Sequence, residues 1–196
     1  MQDLIGGLLG SLGGDELKTL SNMLGADEKT TDRAVGAAMP ALLGALSRNA
    51  GSGGGADALA GALDRDHDGS ILDDIGGFLA GGDTSGGAAI LGHVLGSREP
   101  AVAANVARSS GMDLGSVQKL LPMLAPLVMG MLGREKRQSG LDAGALASQL
   151  FGAQNQLEKD APGMLGALLD ADGDGDSTDD ILELGAGLLG GMFGKR

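Results

Sequence analysis

The chain has 196 residues, 42% of them apolar, so it is long enough to bury a core, although it contains no Trp, no Tyr, no Cys and only three Phe. The absence of Cys excludes disulfides, thiol catalysis and cysteine-ligated zinc sites. The formal net charge of −12, without a basic face or an aromatic platform, disfavours nucleic-acid binding.

Residues 1–14 are predicted to form an apolar N-terminal helix. They contain no basic region and no clear cleavage site, so they are not interpreted as a signal peptide, and a cytoplasmic location is expected. Both ends of the chain carry apolar stripes at helical spacing that need a surface to cover them, either on the same bundle or on a second copy, so a homo-oligomer is possible. The stripes are Leu4, Ile5, Leu8, Leu9 and Leu12 at the start, and Ile181, Leu184, Leu188 and Leu189 at the end.

The rest of the chain is predicted to be two related helical repeats, residues 15–98 and 99–196. At an offset of 86 residues, Gly25, Asp27 and Pro40 match Gly111, Asp113 and Pro126. Each half is expected to form a short helix, a long helix, a shorter helix, an acidic loop and an exit helix. Since no alternating strand pattern is visible, the predicted fold is an all-α helical bundle.

Local signals support these helices. Asp27 and Asp113 are predicted N-caps of the two long helices. Proline residues inside both long helices each remove one backbone hydrogen bond. The glycine-rich segment NAGSGGGAD, residues 49–57, is predicted to be a flexible linker. The longest apolar run, residues 120–133, is too short to span a bilayer and contains two prolines.

Two acidic loops are the most informative motif: DRDHDGSILDDI at residues 64–75 and DADGDGDSTDDI at residues 170–181. Alternating carboxylates before a sharp glycine turn bring several oxygen ligands onto one hard cation, as in EF-hand calcium loops. The bidentate Glu that usually closes such a loop is replaced by Ile75 and Ile181, so one Asp of each Asp-Asp pair must close it. The candidate calcium ligands are Asp64, Asp66, Asp68, Ser70 (through its carbonyl), Asp73 and Asp74 in the first loop, and Asp170, Asp172, Asp174, Asp176, Asp179 and Asp180 in the second.

Helix capping is the alternative interpretation of the first loop, because Ser70 and Asp73 have capping-box spacing. Capping explains Asp73 or Asp74, but it does not explain alternating acids, which repel one another without a cation. His67 is expected to face solvent, and His93 to lie on a helix face. A basic cluster at residues 134–137 falls where the second long helix should end, where it complements the helix dipole.

Four segments follow one another along the chain in this order: GAAMPALLGALSRNA, DRDHDGSILDDIGGFL, GAAILGHVLG and SGMDLGSVQKLLPMLAPLVMGMLG. This order resembles the YidB-like bacterial domain family of unknown function, from Asp15 to Gly133. The resemblance implies an all-helical bacterial cytosolic protein and brings no catalytic residues. The second acidic loop and the chain beyond residue 133 go beyond that resemblance.

The function expected from these patterns is non-enzymatic calcium binding, with two Ca²⁺ ions ordering the two loops in a structural role. The alternative is a self-assembling structural protein in which metal is secondary, since repetition and apolar ends allow head-to-tail stacking. A weaker alternative is a peripheral membrane protein. Nucleophilic catalysis has little support, because the two histidines are far apart in the sequence and no thiol is present.

Overall fold

The structure is a computed structural model that describes residue 10, residues 13–81 and residues 84–160, with side chains up to residue 155. Within these ranges every regular element is helical, which confirms the predicted all-α class. The apolar stripes at both ends, the second acidic loop and the ligands predicted there lie outside the described residues. The helices are α1 Gly14–Leu24, α2 Glu28–Gly51, α3 Gly55–Asp66, α4 Ile75–Gly81, α5 Ser85–Val94, α6 Glu99–Ser110, α7 Leu114–Gln138 and α8 Ala143–Asp160, with 3₁₀ turns at Ser70–Asp73 and Gly96–Arg98.

The long helices α2 and α7 form the centre of the bundle. Helices α1, α3, α5 and α6 each contact both of them, α8 packs on α2 and α3, and α4 packs on α1. The core is one continuous cluster of mainly Leu, Ala, Val and Met side chains, drawn from both predicted halves. Leu120, Leu124 and Leu127 of α7 are completely buried within it. Because aromatic residues are scarce, many small and aliphatic side chains fill the core instead.

Among the helices that the structure describes, α7 is long and apolar enough to cross a membrane by length and composition. However, 72% of its apolar window is buried inside the bundle. Packing against the other helices therefore accounts for its composition.

Both predicted N-caps are confirmed. The Asp27 carboxylate accepts a hydrogen bond from the Thr30 backbone N–H at 2.9 Å, which begins α2. The Asp113 carboxylate accepts one from the Ser116 N–H at 2.9 Å, which begins α7. Hydrogen bonds from these residues hold the pKa of both carboxyl groups below the usual range. In each case the cap follows a left-handed glycine, with φ of 67° at Gly25 and 77° at Gly111.

The prolines do not interrupt the two long helices. Pro126 has no N–H, so the Pro122 carbonyl loses its helical donor. Gly87 of α5 packs directly on this carbonyl: a Cβ at Gly87 would lie 1.8 Å from the Pro122 oxygen. Glycine at position 87 thus permits close contact between α5 and α7.

The predicted flexible linker is a tight turn between α2 and α3. Helix α2 continues to Gly51, and α3 begins at Gly55. The Ser52 N–H and hydroxyl both donate to the Asn49 carbonyl, at 3.1 and 2.6 Å. A Cβ at Gly55 would lie 1.9 Å from the same carbonyl oxygen. The linker prediction was wrong because these glycines serve close backbone packing.

Candidate metal site

The first acidic loop, residues 64–75, connects α3 to α4 across the surface of α7. Its predicted ligands are spread over four consecutive pieces of backbone. They lie as follows: Asp64 and Asp66 in the last turn of α3, Asp68 just after it, Ser70 and Asp73 in the 3₁₀ turn, and Asp74 directly before α4.

Gly69 makes the sharp turn that the sequence predicts. Its φ of 89° lies in the left-handed region that favours glycine. Space also demands glycine here, since a Cβ would lie 2.7 Å from the Arg134 Cβ and 2.9 Å from the Gly130 carbonyl oxygen. The turn therefore sits directly on the backbone of α7.

Two glycines of α7 form the seat on which the loop rests. A Cβ at Gly133 would lie 1.8 Å from the His67 carbonyl oxygen. A Cβ at Gly130 would lie 2.5 Å from the Ile71 Cγ2. The loop and the helix thus approach each other too closely for any side chain at these two positions.

Basic side chains in the last turn of α7 pair with the acids of the loop. The Lys136 Nζ donates to both carboxylate oxygens of Asp64, at 2.7 and 2.9 Å. The Arg137 Nη1 lies 3.5 Å from the Asp68 Oδ2. The Lys136 side chain is only 13% exposed, against 54% for Asp64, so this pair is the best shielded. Both bases do end the helix, as expected, but their pairing with the loop was missed.

Arg134, one turn earlier on α7, binds the loop at two points. Its Nη2 donates to the Gly69 carbonyl at 2.6 Å and also pairs with the Asp73 carboxylate. One guanidinium therefore holds the glycine turn and the end of the 3₁₀ segment together.

Two carboxylates, Asp68 and Asp74, also accept hydrogen bonds from nearby backbone N–H groups. Asp68 Oδ1 accepts a hydrogen bond from the Ser70 N–H at 2.9 Å. Hydrogen bonds from Ser70, aided by the charge of Arg137, lower the Asp68 pKa to about 2. Asp74 Oδ1 accepts from the Gly77 N–H at 2.8 Å, so the capping interpretation is correct for Asp74.

The acids of the loop thus have separate partners. In the part of the chain that the structure describes, no three Asp, Glu or His side chains are grouped closely enough to hold a metal ion. Asp66, whose carboxylate is 3.9 Å from the Arg65 Nε, is exposed. Repulsion among these acids was the reason to expect a cation, but bases of α7 already supply positive charge to Asp64, Asp68 and Asp73, and Arg65 lies beside Asp66.

Of the two histidines, one lies in the surroundings predicted from the sequence and the other does not. His93 lies on an exposed face of α5, as expected. His67 was expected to face solvent, but it is partly buried, and burial lowers its pKa. It lines a cavity together with His93.

The described elements define an all-helical bundle in which an acidic loop is fixed on a basic helix end. The chain belongs to a family of bacterial proteins of unknown function (DUF937), whose model matches residues 7–135. This match confirms the resemblance expected from the sequence, and it includes the first acidic loop and its glycine seat. Comparisons with curated proteins and with solved structures gave no significant match.

Proposed function

We propose that the chain is a non-enzymatic calcium-binding protein in which Ca²⁺ orders two acidic loops in a structural role. The observation that carries this proposal is the repeated pattern of acids at positions 1, 3 and 5 followed by glycine at position 6. In the first loop, the left-handed turn at Gly69 and the exposure of Asp64, Asp66 and Asp73 support it.

Calcium at the first loop must compete with the bases of α7. Asp64 would exchange Lys136 for the ion, and Asp68 would exchange Arg137. Asp64 and Asp68 are about half exposed, and ion pairs of such carboxylates contribute about 0–1 kcal/mol each, or at most about fivefold in affinity, with the better shielded Lys136 pair at the upper end. Without the bidentate Glu as well, we expect a dissociation constant on the order of 10⁻⁴–10⁻³ M, as in weak extracellular calcium modules.

Calorimetric titration of chelator-treated protein with CaCl₂ tests the proposal. We expect two calcium ions per chain, and one after Asp64→Asn. Lys136→Gln should strengthen binding, because it removes a competing cation while leaving every predicted ligand in place. Asp57→Asn, at an exposed position earlier on α3, is the matched control and should leave binding unchanged. Fewer than one calcium per chain at millimolar metal would contradict the proposal.

The two halves are, in the same proposal, related repeats that each carry one such loop. The shared start of the long helices supports this: left-handed Gly25 and Gly111 precede capping Asp27 and Asp113 by the same spacing. If the repeats are equivalent, Asp170→Asn should remove one calcium site just as Asp64→Asn does. Loss of both sites by either single substitution, or of neither, would argue against two independent loops.

A further inference from the structure

Both histidines of the chain line one cavity of about 240 Å³, which lies between α2, α3, α5 and α7. His67 follows α3, and His93 belongs to α5. The apolar residues that line the cavity include Leu46, Leu59, Ile90, Val94 and Met129. The cavity is thus a mainly apolar space with imidazoles from two different elements.

Among the described residues of the lining, three are polar: Asn49 of α2, His67 and His93. Within the described part of the chain, none of the three side chains has a hydrogen-bond partner. An amide offers donors and an acceptor, and a neutral imidazole offers one of each. The cavity therefore presents unused hydrogen-bonding groups beside apolar walls, the combination typical of small-molecule sites.

The lining also limits the charge and the size of a ligand. The described residues of the lining include no Asp, Glu, Lys or Arg. The space is partly open, since Ala58, Ala89 and His93 are exposed, so a charged ligand would lose part of its hydration there without gaining a counter-charge from the described lining, which is unfavourable. An apolar cavity of about 150 Å³ accepts benzene, so 240 Å³ accepts a ring of one or two fused cycles or a short alkyl chain.

We propose that this cavity binds a small neutral molecule with an apolar ring or short-chain body and one hydrogen-bonding group. The body lies against the aliphatic wall, and the polar group is recognised by Asn49, His67 or His93. Among the described residues, none of the candidate calcium ligands lines this cavity, although His67 lies between Asp66 and Asp68 in the first loop, and the proposal does not require metal.

Nuclear magnetic resonance of the full chain, with indole as the probe, tests the inference. Indole is neutral, apolar and has one N–H donor. Because the chain has two histidines and both line the cavity, the imidazole C–H signals report on it directly. We expect both imidazoles and the Met129 methyl to shift along one saturable curve. Indene, which has the same shape without the N–H, should bind about fivefold more weakly, the value of one net hydrogen bond of about 1 kcal/mol. Anionic indole-3-acetate should bind more weakly than indole.

Substitutions that fill the cavity provide a second test of ligand binding. Ala89→Phe on α5 and Ala58→Phe on α3 replace exposed lining residues, and each should abolish the indole shifts while the helical content is retained. Ala101→Phe, at an exposed position of α6 outside the lining, is the control and should bind indole normally. Absence of saturable shifts up to the solubility of indole, unchanged binding in both filled variants, or equal binding of indene or indole-3-acetate would overturn the proposal.

Discussion

The seating of the first acidic loop on α7 makes Gly133→Ala the most informative single substitution. The added methyl group would lie 1.8 Å from the His67 carbonyl oxygen, which is backbone and cannot rotate away. The loop must therefore move by more than an ångström, or α7 must shift within a closely packed core. Either movement also separates Lys136 from Asp64.

Gly133→Ala has opposing effects on the free energy of unfolding. Replacing a helical Gly by Ala gains about 1 kcal/mol of helix propensity. Forcing an extra methyl group into a well-packed site loses about 1–3 kcal/mol, and the displaced ion pairs contribute up to about 1 kcal/mol more. The expected net effect is a destabilisation between about 0 and 3 kcal/mol, and the central value of about 1.5 kcal/mol lowers the melting temperature by about 3–6 °C for a chain of this size.

Far-UV circular dichroism during thermal and urea unfolding measures this effect, since the chain has no Trp or Tyr to follow by fluorescence. Gly92→Ala on α5 is the matched control: it is helical and exposed, and a Cβ there meets nothing within 4 Å. That variant should gain about 0.5–1 kcal/mol. If Gly133→Ala were as stable as Gly92→Ala, the loop would not rest on α7 as described.

Three further changes test the individual contacts. Lys136→Gln should lower the free energy of unfolding by up to about 1 kcal/mol in urea titrations at low salt, whereas Lys119→Gln, at an exposed position of α7, should not. The folded-state pKa of Asp68, about 2, lies below its ordinary 3.8, so its stabilisation is present above pH 3.8 and is lost as the pH falls toward 2. Urea midpoints between pH 5 and 2 should therefore fall less steeply in Asp68→Asn. Asp74→Ala removes the bond to the Gly77 N–H and should lower stability by about 1 kcal/mol.

Each of these three contacts has a result that would contradict it. Equal losses from the two lysine substitutions would mean that the charge of α7, and not its pairing with the loop, matters. An identical acid transition in Asp68→Asn would show that other carboxylates govern stability below pH 4. An unchanged melt of Asp74→Ala would mean that α4 begins without its cap.

Features set by neighbouring residues could be predicted from the sequence. The caps at Asp27 and Asp113 each depend on a backbone N–H three residues later, and the turn at Gly69 depends on its own φ. The all-helical class followed from patterns of the same short range. Each of these features is determined within about one helical turn.

Contacts between distant segments could not be predicted in this way. Lys136 and Asp64 are 72 residues apart, and no local pattern links them. The helix dipole alone was enough to explain the basic cluster at residues 134–137. Its pairing with the acidic loop was therefore missed. His67 was likewise assigned from its place in the loop, while its burial depends on how α3, α5 and α7 meet.

The glycine content of the chain connects its fold to the proposed calcium chemistry. The seat formed by Gly130 and Gly133 contacts the loop through the His67 backbone and the Ile71 side chain. The position of the first loop is therefore fixed by packing, while its acids are held by exchangeable ion pairs at the surface. Accordingly, we expect a chelator to alter the pairing of Asp64 and Asp68 without unfolding α3 or α4, unlike metal-dependent folds in which the ion forms the core.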